Sequence, residues 1–379
     1  MIISDFQKTE VKLLFTPGPL TTAPEVKASA LFDLGSRDSA FIDHVGQIRQ
    51  KLLALAHVES PEYEVVIVQG SGTFGVESTI SSAIPVHDTL LNIINGAYGR
   101  RISQMARIHN IRLIELIYHE TQLPSLADIE SALIDNPEIT HVAVVHGETT
   151  TGLLNPIAQI GELVNYYNKA FIADAMSTFG AYDIDVKKLN ISYLISSSNK
   201  CIEGIPGFSF VIAKQAELAK CENQARTLSL DLYAQWQVLS TSGQFRFTPP
   251  VQVLMAFNTA LDELEKEGGV EARGKRYAGN NAILMQGMKE LGFKAYLNDE
   301  IRSYIITSFL YPTHTNFSFE DFYNRLNDKG CVIYPGKLSQ VDCFRIGNIG
   351  QLYPSDIQML LSAIKDTLAE LTISLKTEN

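Results

Sequence analysis

Three groups of residues carry side chains suited to chemistry, and each follows a short apolar run. The segment Gly70-Ser71-Gly72-Thr73-Phe74-Gly75 comes after EVVIVQ, Asp174 ends the run FIAD, and Lys200 comes shortly after SYLI. Small residues at the start of a helix let backbone N–H groups and hydroxyls reach a phosphate. In an open α/β sheet, ligands bind beyond the carboxyl ends of the strands, so we expect these groups to share one edge of a sheet.

The combination of a phosphate cradle, a carboxylate and a lysine suggests pyridoxal phosphate as a cofactor. A lysine forms a Schiff base with the aldehyde of that cofactor, and a carboxylate keeps its pyridine nitrogen protonated. Each group also has a plainer interpretation. The glycine segment could be a tight turn with no ligand, Asp174 a helix N-cap and Lys200 a solvated surface charge. The three groups together favour the cofactor.

The glycine segment also matches G-x-G-x-x-G, which predicts a dinucleotide site when an acidic residue ends the next strand. The next apolar run, LLNIINGAYG, offers Asn92 and Asn95 towards its end, whereas Asp88 lies before it. Because that acid is missing, a nicotinamide dinucleotide is the less favoured ligand. It is kept as an alternative.

Short apolar runs alternate with helical patterns up to about residue 248, which predicts an α/β domain with a mostly parallel sheet covered by helices. The predicted strands are 64–69, 90–94, 112–116, 141–146, 170–174, 192–196 and 208–213. The predicted helices include 99–109, 125–133 and 157–169. After this point the pattern favours a smaller α+β domain with helices at 251–267, 270–291, 318–329 and 354–375 and strands at 301–311, near 332 and at 343–346.

The predicted domain organisation has three parts, in keeping with a chain of 379 residues at roughly 150 residues per domain. Residues 1–20 are expected to pack on the small domain, 21–265 to form the large cofactor-binding domain, and 266–379 to form the small domain. No flexible polar tract separates the two large parts, so a helix is the expected connection.

Composition excludes several classes of function. The net charge of −11 repels phosphate backbones, so we expect no nucleic-acid partner. Apolar runs are too short to span a membrane, and residues 1–12 lack the pattern of a signal peptide. The four cysteines show no C-x-x-C pair, and the eight histidines show no ligand spacing. These features predict a reduced, cytoplasmic protein without a metal site.

Several segments, in this order and at this spacing, resemble the class V aminotransferases of the fold-type I pyridoxal-phosphate enzymes. The matching segments include FTPGP at 15–19, QGSGTF at 69–74, NGAYG at 95–99, HGETTTG at 146–152, DAMSTFG at 174–180, SNKCIEGIPGF at 198–208, FTPP at 247–250 and FRIGNIG at 344–350. The resemblance covers nearly the whole chain. It implies a large domain with a mostly parallel sheet, a smaller α+β domain, and pyridoxal phosphate as the cofactor.

The resemblance also implies a role for individual residues. Lys200 would be the Schiff-base lysine and Asp174 the partner of the pyridine nitrogen, and these two are the expected catalytic residues. The expected phosphate ligands are Ser71, Gly72, Thr73 and Asn199, together with Thr248 from the neighbouring subunit of a homodimer with a shared active site. Tyr98 and Met176 would cover the two faces of the ring, and Thr149, or Thr150 as the close alternative, would bond the ring hydroxyl. Arg345 would bind the anionic end of the substrate.

The activity implied by the resemblance is transfer of the amino group of 2-aminoethylphosphonate to pyruvate, giving phosphonoacetaldehyde and L-alanine. The nearest alternative is another class V transaminase, acting between alanine or serine and glyoxylate or pyruvate. A cysteine desulfurase of the same fold would need a cysteine on a mobile loop, whereas Cys331 and Cys343 lie in strand-like segments. A non-catalytic α/β binding protein or a dehydrogenase is the alternative from a different class.

Overall fold

A seven-stranded sheet forms the centre of the large unit, which comprises residues 22–149 and 153–274. The structure is a computed structural model, and it describes residues 12–336, 338 and 341–375. The strands of this sheet are β2 (Tyr63–Gln69), β3 (Thr89–Ile94), β4 (Arg112–Ile117), β5 (Ile139–Val145), β8 (Ala170–Asp174), β9 (Tyr193–Ser197) and β10 (Phe208–Lys214). The short strands β6 (Gly147–Glu148) and β7 (Leu153–Leu154) pair with each other outside this sheet.

The strand order in the sheet is β2-β10-β9-β8-β5-β3-β4. The pairings between β9, β8, β5, β3 and β4 are parallel, while β10 is antiparallel to both of its neighbours. Since β2 and β9 both run against β10, they run in the same direction, and the carboxyl ends of β2, β8 and β9 meet at one edge. The predicted α/β class with a mostly parallel sheet is therefore confirmed.

Helices follow most of these strands because every strand except the edge strand β4 is buried on both faces and needs cover. The helices that belong wholly to this unit are α1 (Pro24–Ser29), α2 (Ser39–Leu55), α3 (Gly72–Ala83), α4 (Ala97–Ile108), α5 (Leu126–Asp135), α6 (Ile157–Tyr166), α7 (Gln215–Lys220), α8 (Leu232–Ser242) and α9 (Val251–Glu267). Helix α9 ends at Gly268, whose φ of 108° lies in the left-handed region that glycine adopts without strain. The next helix, α10 (Gly269–Glu290), contains the boundary between Gly274 and Lys275.

Among the described residues, the small unit comprises 12–21, 150–152 and those from 275 onwards, while residues 1–11 of the predicted N-terminal segment lie outside the described part of the chain. Its three-stranded antiparallel sheet has the order β11 (Ile306–Leu310), β14 (Cys343–Gly347), β13 (Tyr334–Pro335). Strand β1 (Leu13–Leu14) pairs in parallel with β12 (Cys331–Val332). Helices α11 (Phe319–Asp328) and α12 (Pro354–Glu370) complete the unit. The domain boundaries expected at 20/21 and 265/266 stay predictions.

Each unit has its own hydrophobic core. The core of the large unit contains β-sheet residues such as Val66 and Ile172, together with Phe257 of α9. The core of the small unit gathers Phe293, Phe322 and Phe344. All four cysteines lie within the described residues and are buried, and none of them is in a disulfide.

Three predicted elements are longer in the sequence pattern than in the structure. Helix α6 ends at Tyr166 instead of 169, because Asn168 has a positive φ of 53°. Strand β11 begins at Ile306 instead of 301. Helix α12 ends at Glu370 instead of 375, since Thr372 has a φ of 54° and turns Ile373 back into the core.

Candidate active site

A cavity lies at the edge of the large unit's sheet where β2, β8 and β9 end; we call it the strand-end cavity. Nine of the residues predicted from the sequence line it: Ser71, Gly72, Thr73, Tyr98, Thr149, Asp174, Met176, Asn199 and Lys200. They come from five separate segments of the chain. These segments follow β2, β3, β5, β8 and β9, and the common direction of these five strands brings the segments together.

The glycine segment is a tight turn from β2 into α3. Gly70 has a φ of 107°, and a Cβ at this position would lie 2.7 Å from the ring of Phe74. Ser71 is the N-cap of α3, but its side chain makes no capping hydrogen bond. At Gly72, a Cβ would lie 2.3 Å from Sδ of Met176, so a larger residue would displace that methionine from the cavity. The first N–H groups of α3 have no partner within the helix and suit an anion.

Asp174 is the last residue of β8 and is 4% exposed. Its Oδ1 accepts a hydrogen bond from the backbone N–H of Met176 at 3.0 Å. Burial raises the pKa of Asp174 from its usual 3.8 to about 6; Glu148 adds to the rise, while the Met176 N–H, Lys200 and Arg101 oppose it. A buried carboxylate of this kind is stabilised by a nearby cation.

Lys200 lies on the loop after β9 and is half-buried. Several backbone contacts hold this loop: the Lys200 carbonyl accepts from the N–H of Glu203 at 2.8 Å, and the Ser198 carbonyl accepts from the N–H of Gly204 at 2.9 Å. The Ser198 hydroxyl donates to the carbonyl of Ile205 at 2.7 Å. The lysine is therefore carried by a loop with a defined backbone path, close to the edge where Asp174 lies.

The same loop is held by a fully buried arginine, Arg273. Arg273 donates from Nη1 to the carbonyl of Cys201 at 2.7 Å and from Nε to Oε2 of Glu267 at 2.5 Å. Its Nη1 also lies 3.5 Å from Oε1 of Glu203, whose side chain is 3% exposed. Neither Glu203 nor Arg273 was assigned a role from the sequence.

Tyr98 lies in the first turn of α4. The carboxylate of Glu148 accepts the backbone N–H groups of Tyr98 at 3.1 Å and of Gly99 at 3.4 Å. A negative charge at a helix N-terminus is favourable, and here it holds the turn that carries the tyrosine. The guanidinium carbon of Arg101 lies 4.9 Å from the centre of the Tyr98 ring.

The neighbouring threonines differ in their placement. Thr149 is buried and lines the strand-end cavity, which favours it over Thr150 for a cofactor contact. Thr150 belongs to the small unit, where its carbonyl accepts a hydrogen bond from the Ser308 hydroxyl at 3.0 Å.

Two predicted site residues do not line the strand-end cavity. Thr248 is exposed, just before α9, and its carbonyl accepts a hydrogen bond from Nε2 of Gln69. Arg345 lies on β14 of the small unit and is 6% exposed. Its Nε donates to the carbonyl of Pro335 at 3.1 Å, and its guanidinium lies 5.8 Å from the Tyr334 ring centre.

The cavity also contains Arg101, which the sequence analysis missed. Arg101 could have been predicted from the sequence, because it lies three residues after Tyr98 and therefore on the same face of a helix. Within the described ranges, no cluster of three or more His, Cys, Asp and Glu side chains could hold a metal ion. In the same part of the chain, no helix is long and apolar enough to cross a membrane.

The fold and the family place the chain among the aminotransferases. The family model described as aminotransferase class V matches residues 26–343, and the chain belongs to this family. The resemblance stated from the sequence is thereby confirmed.

The chain is similar along nearly its whole length to relatives that carry one name, 2-aminoethylphosphonate–pyruvate transaminase. The relative from Lysinibacillus sphaericus is 50% identical, with 93% of this chain and 96% of the relative covered. The relative from Vibrio vulnificus is 51% identical, with coverage of 94% and 97%.

Solved structures of other aminotransferases have the same fold. The pyridoxamine–pyruvate aminotransferase of Mesorhizobium loti superposes with a TM-score of 0.88 at 25% identity, covering 96% of this chain and 94% of that chain. The ureidoglycine–glyoxylate aminotransferase of Bacillus subtilis has a TM-score of 0.89 at 21% identity, with coverage of 97% and 95%. The predicted fold-type I architecture is therefore confirmed.

Proposed function

We propose that this chain is a pyridoxal-phosphate enzyme that transfers the amino group of 2-aminoethylphosphonate to pyruvate, a step in phosphonate catabolism. The products are phosphonoacetaldehyde and L-alanine. The observation that carries the proposal is the arrangement of Lys200, Asp174 and the N-terminus of α3 around one cavity. The substrates are taken from the relatives of about half identity that bear this name.

The residues of the strand-end cavity fit pyridoxal phosphate. The N-terminus of α3, with the hydroxyls of Ser71 and Thr73, suits the phosphate, and Asn199 lies in the same cavity. Asp174 suits a protonated ring nitrogen, because a cation there would compensate the carboxylate whose pKa burial raises to about 6. Lys200 supplies the amine for the aldehyde.

The remaining contacts are proposed from the same fit. Tyr98 and Met176 would cover the two faces of the ring, and Thr149 would bond the ring hydroxyl. Gly72 leaves the space that Met176 occupies.

Bound pyridoxal phosphate supplies a conjugated ring that withdraws electron density from the carbon bearing the amino group. With the cofactor bound, Lys200 would hold it through the aldehyde until the substrate amine takes that place. The freed, neutral Nζ of Lys200 would then accept the proton of the amine-bearing carbon as a general base and donate it, as a general acid, to the cofactor carbon that had carried the aldehyde. The same lysine serves both half-reactions. Asp174, oriented by the N–H of Met176, would keep the ring nitrogen protonated throughout.

Arg345 is proposed to bind the anionic group of each substrate in turn. A guanidinium can pair with a phosphonate or with a carboxylate through two parallel N–H donors. Its position in the small unit, buried on β14 with Nε bonded to Pro335, gives the side chain a defined direction.

The proposed assembly is a cytoplasmic homodimer in which Thr248 reaches the cofactor phosphate of the neighbouring subunit. Thr248 is exposed on the large unit and stays outside that unit's own cavity, which supports this assignment. We propose no nucleic-acid or membrane partner, in keeping with a net charge of −11.

An amino-donor panel with pyruvate tests the function. The purified protein is expected to be yellow and to form alanine from 2-aminoethylphosphonate roughly 100-fold or more faster than from L-serine or L-phosphoserine. The control, Lys200→Ala, is expected to lose the visible absorbance of the cofactor-bound enzyme and about 10²- to 10⁴-fold of the turnover.

Two outcomes would contradict the proposal in different ways. A yellow protein that prefers alanine or serine with glyoxylate would be another class V transaminase. A colourless protein that binds a nicotinamide dinucleotide would not use pyridoxal phosphate at all.

A further inference from the structure

Arg101 is the charged residue of the strand-end cavity to which the proposed mechanism gives no role. It lies on α4, three residues after Tyr98, and its guanidinium packs over the Tyr98 ring at 4.9 Å. Its Nη1 donates a hydrogen bond to Oγ1 of Thr73 at 3.1 Å. Among the residues that the structure describes, Arg101 and Lys200 are the lysines and arginines that line this cavity.

The hydrogen bond to Thr73 determines what the threonine hydroxyl can do. A hydroxyl has one proton to donate and two lone pairs to accept with. Since arginine has no acceptor, Thr73 must be the acceptor in this pair. The Thr73 proton is therefore directed away from Arg101 and is available to another acceptor, beside the first N–H groups of α3.

The negative charge of a bound phosphate also needs a partner. A phosphate monoester carries about −1.5 to −2 charge near pH 7, with three acceptor oxygens. Lys200 is committed to the aldehyde in the proposed function, so it is not available to the phosphate. Arg101 is the other cation of the cavity, and it contacts the hydroxyl of Thr73 in the first turn of α3.

We propose that Arg101 is a positioning residue that makes the cavity selective for the phosphorylated form of its cofactor, by fixing Thr73 as a hydrogen-bond donor and by supplying a permanent positive charge. This inference rests on the proposed function, because it takes pyridoxal phosphate as the cofactor. It assigns a role in cofactor specificity to a residue outside the set proposed to contact the cofactor.

The test compares two probes, pyridoxal phosphate and pyridoxal, which lacks the phosphate. Cofactor-free wild-type protein, Arg101→Gln and Arg101→Lys are titrated with each probe, and dissociation constants are measured by absorbance. Arg101→Gln is expected to bind pyridoxal phosphate roughly 10- to 100-fold more weakly, because a charge-assisted contact is lost, and to bind pyridoxal within about 3-fold of wild type. Arg101→Lys is expected to recover part of the loss.

Arg100→Gln is the matched control, since Arg100 is the adjacent arginine on α4 and is exposed. It is expected to bind both probes as the wild-type protein does. Fluorescence of Trp236, the one tryptophan in the chain, reports whether each variant keeps the fold of the large unit.

The outcomes separate the two proposals. An equal loss for both probes, or no loss for either, would overturn the role of Arg101 while leaving the proposed function intact. A wild-type protein that binds neither probe would overturn the proposed function, and the role of Arg101 would fall with it.

Discussion

Asp174 has a negative charge in a place where water cannot stabilise it. The side chain is 4% exposed, and burial is the main reason why its pKa rises from 3.8 to about 6. Because the native protein then binds a proton that the unfolded chain has already released, stability falls as the pH rises from about 4 to about 6. In the cofactor-free protein, this residue lowers the free energy of unfolding at neutral pH.

We therefore expect Asp174→Asn to stabilise the cofactor-free protein while it abolishes activity. The gain should be close to zero near pH 4 and reach at most about 3 kcal/mol at about pH 7, since one pKa unit is worth about 1.4 kcal/mol. The Oδ1 of asparagine can keep the hydrogen bond from the Met176 N–H. Urea unfolding at the two pH values measures the gain, and an equal effect at both would show that charge burial is not the cause.

The sequence predicted the cavity residues whose position depends on strand ends. Asp174 ends β8 and Lys200 follows β9, and parallel strands bring such ends together whatever the remaining contacts are. Glu148 and Arg273 could not be found in this way. Glu148 accepts from the backbone N–H of Tyr98, 50 residues earlier, and Arg273 donates to the carbonyl of Cys201, 72 residues earlier. Side-chain pairing across such separations depends on packing that no local pattern describes.

At the scale of elements, the loop that carries Lys200 is held by Arg273 together with Glu203 and Glu267; we call this group the Arg273 network. This network joins the loop to the end of α9 through Glu267 and to the first turns of α10 through Arg273 itself. A buried charge in such a network is strongly destabilising when its partner is removed.

We expect Arg273→Met to lower the free energy of unfolding of the large unit by roughly 3–5 kcal/mol, because it leaves the Glu203 carboxylate buried with its arginine gone. The double variant Arg273→Met/Glu203→Met should recover part of that loss. Arg107→Met is the control, since it breaks an exposed pair with Glu115 and should cost about 0–1 kcal/mol. Urea unfolding followed by Trp236 fluorescence measures all three, and equal losses in Arg273→Met and Arg107→Met would contradict the prediction.

Most elements were predicted well because their hydrophobic patterns are strong, and the errors have specific causes. The pattern after Glu370 still looks helical, because Ile373 and Leu375 are apolar, yet they pack on the small unit's core after the chain has turned at Thr372. The antiparallel direction of β10 could not be predicted from the sequence either. Its run FSFVIA resembles that of a parallel strand, since both kinds are buried here on two faces.

At the scale of the whole molecule, the proposed dimer makes the two active sites interdependent. If Thr248 contacts the cofactor of the neighbouring subunit, consider a hybrid dimer of one Lys200→Ala chain and one Thr248→Ala chain. One of its two active sites then contains both substitutions, and the other contains neither. We expect such hybrids, purified through two different tags, to contain one site with wild-type affinity for pyridoxal phosphate. The Thr248→Ala homodimer should bind roughly 10-fold more weakly, through loss of a hydrogen bond to a charged group.

Absorbance titration with pyridoxal phosphate distinguishes the two arrangements. If the functional site of the hybrid binds pyridoxal phosphate as weakly as the Thr248→Ala homodimer does, Thr248 belongs to the site of its own subunit. If light scattering shows that the protein is a monomer, the active site is not shared between subunits.

The buried cysteine thiols are divided between the two units, so their reactivity can report the unfolding of each unit separately. Cys201 and Cys221 lie in the large unit, and Cys331 and Cys343 lie in the small unit. Burial raises the pKa of Cys221 and of Cys331 to about 11. Because alkylating agents react with the thiolate, these two thiols stay inert until the unit around them opens. Iodoacetamide added at increasing urea concentrations, followed by peptide mass spectrometry, would therefore tell in which order the two units open, whereas the single tryptophan follows only one of them.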